Sequence, residues 1–480
     1  MKKQDSTEKL GHLNRMFTQL KKTTDFKLVR KILSNGAKER NSLMWFSKKI
    51  IYIGLSIYLL LNAISTAAEP QKEVIVLTEK EAIETAIKNN YDILSKKEEI
   101  IAAQARLQQA WSQVLPYISA NANYTRYEDH PFITYEDNRG YSFSANQLLF
   151  SGGRVANAID SAGKYLKAMQ EGSKELKNKI IYSVKQSFYN IILAKEFVRI
   201  RKETLELAEE NLSITKERYK NGEASHYDLL RSEVEVANIK PQLIKAENFL
   251  KTSYNFLKVL LGIDPANAIE VKGGFNYASE EIDLNREVNL ALERRPALKE
   301  IALQEKAAKA QVRASFAGYL PQVNLNFTDY ANQKESFSVG REKYDGYWIA
   351  GITVSMPLFD GFLTHSKVKE AKARERKICI LKDKLTDNVK IEVENTILDL
   401  KAAKSTVESQ EENAARAKEA YQIIRQRYAL GQASQLDLLD AQVALSTAQL
   451  NFAQSLYDFI VARAKLNYVV GEDKSGGIKK

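Results

Sequence analysis

The strongest constraint on the fold of this chain is an internal repeat. The stretch RYKNGEASHYDLL at 218–230 returns as RYALGQASQLDLL at 427–439, an offset of 209 residues. The pair LFSGG at 149–153 and LFDGF at 358–362 keeps this offset, while LPYISANANY from 115 and LPQVNLNFTD from 320 differ by 205. A four-residue insertion in a loop of the second copy accounts for the change, since loops tolerate length differences. The chain therefore consists of two copies of one unit, repeat 1 at 69–274 and repeat 2 at 275–471.

Both repeats are predicted to contain the same elements in the same order. Each opens with a helix, which in repeat 1 begins at the capping box Thr78-Glu-Lys-Glu81 and continues to Trp111. A strand pair, a long helix and a returning helix follow. In repeat 1 these are predicted at 117–127, 141–150, 152–220 and 225–262. In repeat 2 they are predicted at 322–330, 346–357, 361–429 and 434–470, with a tail at 472–480.

The predicted strands have one apolar and one polar face. Ile118, Ala120 and Tyr124 alternate with Ser119 and Asn121, and the other three strands alternate in the same way. Strands of about ten residues that are apolar on one side and polar on the other are typical of membrane β-barrels. Four strands cannot close a barrel, so we expect several chains to share one.

The long helices carry small or apolar residues at steps of three, four and seven. In repeat 1 this seam includes Val184, Phe188, Ile191, Ala208 and Thr215. Such a seam predicts packing against other helices along the whole length. Long packed helices alone also fit a secreted coiled-coil scaffold or adhesin, but that alternative leaves the strand pairs and the repeat unexplained.

The positive charge of the chain is concentrated at its N-terminus. Residues 1–43 hold eleven Lys/Arg and four Asp/Glu, and Lys48 and Lys49 add two charges, so only +2 of the net +11 lies after residue 68. The apolar run that follows and the small residues Thr66 and Ala68 predict a signal peptide at 44–68. Met44 is a natural start, which leaves open whether the basic extension 1–43 is translated. Since the excess charge belongs to this segment, no nucleic-acid partner is expected.

The duplicated stretch is predicted to be the tip of a helical hairpin. Gly222 and Gly431 stand where each long helix ends, as glycine commonly does. Ser225 with Asp228, and Ser434 with Asp437, are spaced as capping boxes for the returning helices.

With these elements in place, the chain resembles the TolC family of trimeric outer-membrane efflux and secretion channels. The resemblance rests on the paired LF-x-G junctions and the paired RY-x-x-G-x-x-S-x-x-D-L-L tips, and it covers residues 75–471. It implies an α+β membrane protein in which three protomers build a 12-stranded β-barrel that continues as an α-helical periplasmic tunnel. It further implies a channel of the outer membrane, Gram-negative in type, that contacts outer-membrane lipid. The channel would passively conduct substrates, in tripartite efflux or type I secretion, from an inner-membrane pump through a periplasmic adaptor protein.

The resemblance also assigns roles to individual tip residues. Asp437 and Asp440 match positions that form acidic rings at the periplasmic gate, Tyr428 matches a linking tyrosine, and Asp228 matches its acidic partner. Gly222, Ser225, Gly431 and Ser434 belong to the tips that would dock the adaptor. Ala433 stands where the best-known members have an arginine that helps to lock the gate. Capping of the helices alone is the competing interpretation of Asp228 and Asp437.

Motifs for catalysis or cofactor binding are missing from the sequence. The four histidines, His12, His130, His226 and His365, have no metal-ligand spacing. No phosphate-binding loop, nucleophile elbow or dinucleotide fingerprint is found. We therefore expect neither an enzyme nor a bound cofactor or metal ion.

Overall fold

The computed structural model describes residues 75–126, 137–277, 282–335 and 342–471. All of these belong to one unit of the chain, residues 73–480. The predicted N-terminal extension, signal peptide and C-terminal tail lie outside the described residues.

The described part of repeat 1 contains eight elements, two of which are strands of only three residues. In chain order they are β1 (Ile75–Leu77), α1 (Glu79–Asn89), α2 (Tyr91–Ser112), β2 (Tyr117–Arg126), β3 (Asp137–Phe150), α3 (Arg154–Lys220), α4 (His226–Leu261) and β4 (Ile269–Val271). The two short strands pair in parallel, Ile75 opposite Ile269, and were not predicted. The helix predicted from Thr78 to Trp111 is wrong at Asn90, where the backbone is extended and the side chain caps α2 by accepting from the Asp92 and Ile93 amides.

Repeat 2 has the same long elements. They are α5 (Leu284–Arg294), α6 (Pro296–Phe316), a 3₁₀ turn (Ala317–Tyr319), β5 (Gln322–Glu335), β6 (Glu342–Ser355), α7 (Leu363–Ala429) and α8 (Gln435–Val470). The predicted ranges 141–150, 322–330 and 346–357 are wrong at their loop ends, since β3 and β6 begin four residues earlier and β5 ends five residues later. These strand ends are polar, so hydrophobic alternation gave no sign of them.

The four long strands form one antiparallel sheet in the order β2-β3-β5-β6. Its register aligns the apolar positions of all four strands, with Ile118 opposite Ala145, Ala145 opposite Phe327, and Phe327 opposite Ala350. The other face aligns Ser119, Ser144 and Thr328, and the hydroxyl oxygens of Ser144 and Thr328 lie 3.3 Å apart. The predicted apolar and polar faces hold at these positions, with exceptions elsewhere: Asp329 lies opposite Phe143 on the apolar face and Ile349 lies opposite Thr328 on the polar face.

The helices below the sheet repeat one packing pattern. α3 packs against α2 and α4, and α7 packs in the same way against α6 and α8. The repeats are joined because α3 also packs against α6 and α8. Two apolar cores lie along these contacts, one around Val184, Phe188 and Leu257 and one around Val393 and Phe459. Each 67-residue long helix spans about 100 Å.

None of the helices in the described part of the chain combines the length and apolar character that a membrane-crossing helix needs.

Candidate functional site at the helical tips

The first tip (218–230) and the second tip (427–439) have the same backbone geometry. At the end of α3, the Glu223 amide donates to the Arg218 carbonyl at 2.8 Å and the Gly222 amide donates to the Tyr219 carbonyl at 3.1 Å. This is the Schellman motif, and it needs a left-handed residue, here Gly222 with φ 79°. Gly431 has φ 71° in the same motif at the end of α7. The glycines are therefore fixed by the conformation of the turn.

Both returning helices begin with the predicted capping box. The Ser225 side chain accepts from the Asp228 amide at 3.1 Å, and Asp228 Oδ2 accepts from the Ser225 amide at 3.0 Å. At the second tip the corresponding distances between Ser434 and Asp437 are 3.2 and 2.9 Å. Ser225 and Ser434 thus determine the conformation of the tips, and Asp228 and Asp437 both act as capping residues in a single chain.

The two carboxylates proposed for an acidic ring lie on the exposed side of α8. Asp437 and Asp440 are three residues apart and therefore share one helix face, and both are exposed. Hydrogen bonds from the Ser434 side chain and backbone, aided by the charge of Arg427, hold the pKa of Asp437 below its ordinary value. Asp437 is therefore ionised at neutral pH and presents its charge to solvent.

Tyr428 lies in a small apolar cluster at the second tip. It is 7% exposed and packs with Tyr421, Leu438 and the half-buried Ala433. The Arg218 guanidinium lies 5.0 Å from the centre of the Tyr428 ring, a cation–π distance. Within the described residues no hydrogen bond joins Tyr428 to Asp228, so a single chain brings Tyr428 together with Arg218.

A set of buried polar side chains joins the two hairpins above the tips. Asn211 Nδ2 donates to Gln442 Oε1 at 2.9 Å, and Gln442 Nε2 donates to the Thr204 carbonyl at 3.0 Å. Nearer the tip, Gln435 Nε2 donates to the Asp228 carbonyl at 3.0 Å and bonds the Ser232 hydroxyl. Buried amides of this kind fix the relative position of two helices because leaving them unpaired costs free energy.

These joining residues were not identified from the sequence. Thr215, whose hydroxyl accepts from Gln435 Nε2 at 3.5 Å, belongs to the seam of small and apolar residues. No sequence pattern predicts the bonds of Asn211, Gln435 and Gln442. Arg218 and Arg427 stand in the duplicated motif, which is the only hint that both arginines have a role at the tips.

The described part of the chain contains no group of His, Cys, Asp and Glu side chains that could hold a metal ion. The chain combines a sheet that has an apolar face with two long helical hairpins that have charged tips. This combination is typical of the subunits of membrane channels.

The comparisons with known proteins identify the family. A family model described as outer membrane efflux protein matches residues 82–263 and 288–472, and the chain belongs to this family. It is 23% identical to outer membrane efflux protein BepC of Brucella suis over 399 residues, 81% of this chain and 84% of BepC. It is 23% identical to the probable efflux pump outer membrane protein TtgC of Pseudomonas putida over 388 residues, 77% of this chain and 78% of TtgC.

Comparison with solved structures shows a similar fold. The crystal structure of the CmeC outer membrane channel of Campylobacter jejuni superposes with a TM-score of 0.73 at 17% identity, covering 84% of this chain and 90% of CmeC. The predicted resemblance, outer-membrane location and efflux function are confirmed, and the scaffold or adhesin alternative is not supported.

Proposed function

We propose that this chain forms a homotrimeric, passive channel of the outer membrane. The channel receives its substrates from an inner-membrane pump through a periplasmic adaptor protein, in a tripartite efflux or type I secretion system. The similarity to TtgC, a probable efflux pump outer membrane protein, supports the coupling to a pump.

The observation that carries this proposal is the open sheet. Its outer strands, β2 and β6, each pair on one side only among the described residues. Such an edge carries unpaired amide and carbonyl groups, which are costly in lipid. If β6 of one copy pairs with β2 of the next, three copies form a closed twelve-stranded barrel, and this closure satisfies every edge.

The distribution of side chains supports a contact with lipid. Trp348, Ile352 and Val354 on β6 are each at least 66% exposed in a single chain and lie on the apolar face. The opposite face carries hydrogen-bonded polar groups, such as Asn326 Nδ2 donating to Thr353 Oγ1 at 3.1 Å. In a closed barrel the first face would contact outer-membrane lipid and the second would line the channel.

In the proposed channel, the tips form the periplasmic gate and the surface that docks the adaptor. Asp437 and Asp440 form acidic rings when three copies meet at the mouth, and Asp228 and Tyr428 belong to the links that keep it closed. Ala433 is half-buried in the apolar cluster and adds no cation to these links. The surface around Gly222, Ser225, Gly431 and Ser434 is largely exposed, and there the adaptor docks.

Recordings in planar lipid bilayers test this function. The purified full chain is expected to conduct ions without ATP or any other energy source, in discrete steps that report a permanent pore. A protein that remains soluble without detergent and gives no conductance steps would contradict the proposal.

A further inference from the structure

The contact between Arg218 and Tyr428 joins equivalent helices of the two repeats. Arg218 lies on α3 and Tyr428 on α7, with the guanidinium 5.0 Å from the ring centre. Both residue types occur at both tips, because Arg427 is the equivalent of Arg218 and Tyr219 is the equivalent of Tyr428. The chain therefore contains the parts for two such contacts, of which it forms one internally.

Exposure distinguishes the two tyrosines. Tyr428 is 7% exposed, whereas Tyr219 is 41% exposed. The leucines of the returning helices differ in the same way, with Leu439 at 5% and its equivalent Leu230 at 46%. Repeat 1 thus leaves exposed two residues whose repeat 2 equivalents are buried, and Tyr428 is buried in part by Arg218 and Leu207 of repeat 1.

The other end of the long helices has the same asymmetry. A side chain at Gly152 would meet Leu320 Cβ at 2.5 Å, because the start of α3 packs closely against the turn after α6. The equivalent of Gly152 is Gly361, which has nothing within 4 Å. The equivalent of Leu320 is Leu115, which is 65% exposed, against 38% for Leu320. The contact between the two repeats is therefore formed once inside the chain. The equivalent surfaces, around Gly361 on repeat 2 and Leu115 on repeat 1, remain exposed.

We infer that a second copy of this chain completes this interface in the same register, with Arg427 of one copy over the Tyr219 ring of the next. In this register Gly361 lies against Leu115 of the neighbouring copy. Closure by three copies then gives six Arg–Tyr contacts at the mouth, three within chains and three between them. The inference rests on the proposed trimer and specifies which residues meet across its interfaces.

A charge pair near the tips agrees with this register. Inside the chain, Arg425 on α7 lies 2.9 Å from Glu210 on α3. The equivalents are Glu419 on α7 and Lys216 on α3. In the equivalent contact between two copies, Glu419 of one copy lies near Lys216 of the next, so opposite charges meet again.

The buried amide bonds are not repeated between copies. The equivalents of Asn211 and Gln442 are Ala420 and Glu233, and neither can form the amide-to-amide bond. The contact between copies therefore depends more on its Arg–Tyr pair than the contact inside the chain does. Loss of Arg427 is expected to weaken the closed mouth, whereas loss of Arg218 is compensated by Gln442 and Gln435.

Photo-crosslinking tests the inference with a matched control in the same chain. The full-length protein, in outer membranes, carries p-benzoylphenylalanine at position 219 or at position 428. The probe at 219 is expected to give a product of two chains, with the crosslink in the peptide that contains Arg427. The probe at 428 is expected to react within its own chain, near Arg218. Arg427→Gln should reduce the two-chain product several-fold, while Arg218→Gln should leave it nearly unchanged.

Two outcomes separate this inference from the proposed function. If the protein is trimeric in detergent but the probe at 219 reacts only within its chain, or with another segment of the neighbour, the register is wrong and the proposed channel stands. If the protein is monomeric, the trimer itself is wrong and the inference fails with it.

Discussion

The guanidinium of Arg295 lies 5.5 Å from the centre of the Tyr468 ring, where α5 meets α6. Its Nη1 donates to Glu392 Oε2 at 2.5 Å, while its Nε lies 3.5 Å from Glu175 Oε1, near enough for ionic attraction but without a hydrogen bond. The Tyr468 hydroxyl donates to the same Glu175 oxygen at 3.1 Å. These contacts join α3, α7 and α8 through Glu175, Glu392 and Tyr468.

Arg295→Ala is expected to destabilise the protein strongly. The arginine side chain is 7% exposed and its partner Glu175 is 17% exposed. Removing the cation leaves the shielded Glu175 carboxylate with hydrogen bonds from the Tyr468 hydroxyl and the Ala297 amide but without a positive charge. Loss of one partner of a buried ion pair costs about 3–5 kcal/mol. Thermal unfolding in detergent, followed by circular dichroism, measures the loss.

Arg199→Ala is the control for this substitution. Arg199 forms ion pairs with Glu196 and Glu203 on the surface of α3 and is 51% exposed. Surface pairs contribute about 0–1 kcal/mol, so its unfolding temperature should change little. Equal losses for the two variants would show that the buried group has no special part in stability.

Alkaline pH is expected to destabilise the protein through Tyr468. Burial, with the charge of Glu175, raises the pKa of this tyrosine to about 12 from 10.0. Above pH 10 the unfolded chain releases this proton and the folded chain keeps it, so the stabilisation present below pH 10 is lost as pH rises towards 12. Tyr468→Phe should flatten the fall of unfolding temperature between pH 10 and 12. Tyr227→Phe, at a residue that is 68% exposed, should keep the wild-type slope.

Valine at either tip glycine is expected to abolish export. Gly222 and Gly431 have φ of 79° and 71°, where a side chain costs about 1–2 kcal/mol. The strain is expected to displace the turn proposed to dock the adaptor, while the sheet and the assembly should be unaffected. Efflux in cells and the amount of channel in outer membranes are measured together. Gly274→Val is the control, because a side chain there meets nothing within 4 Å. Normal export by both tip variants would exclude the tips as the docking surface.

The acidic rings are expected to make the closed mouth cation-selective. Three copies of Asp437 and Asp440 at a constriction attract cations and repel anions. Asp437→Asn combined with Asp440→Asn should remove the preference for cations and the block by divalent ions in single-channel recordings. A double variant with unchanged selectivity would leave Asp437 with capping as its only role.

Serine substitutions at the two tips test how the charge of Asp437 is maintained. The Ser434 hydrogen bonds lower the pKa of Asp437, so its charge persists as pH falls, while crowding in the ring acts in the opposite direction. Ser434→Ala raises this pKa, and cation selectivity should therefore be lost at a higher pH than in the wild type. Ser225→Ala is the matched control, because Ser225 caps the other returning helix, α4, and its hydroxyl bonds Asp228 rather than Asp437. A similar shift in both variants would contradict the assignment.

Much of the fold was predictable because the repeat supplies each local signal twice. Alternation in β2 and β5, glycine at the end of α3 and α7, and the serine caps of α4 and α8 all act through neighbours in sequence. The break at Asn90 was missed because it contains neither proline nor glycine. The pairing of Ile75 with Ile269 was missed because strands of three residues give no detectable period.

The candidate site was predictable only in its turns. Ser225, Asp228, Ser434 and Asp437 follow a spacing rule, so their capping bonds could be anticipated. The contacts of Gln435, Gln442 and Arg218 join residues more than two hundred positions apart in the sequence. Arg295 and Glu175 are also far apart in the sequence and approach each other only in the folded chain. No local pattern encodes such contacts, so only the tertiary structure could identify them.

The central claim is that the open sheet of one chain is completed by other copies. The mass of the purified protein in detergent, measured by light scattering with the detergent contribution subtracted, tests it most directly. The account predicts three chains per particle, about three times the 54.4 kDa calculated for the whole sequence, less any segment removed on export. A folded, stable particle that contains a single chain would contradict it.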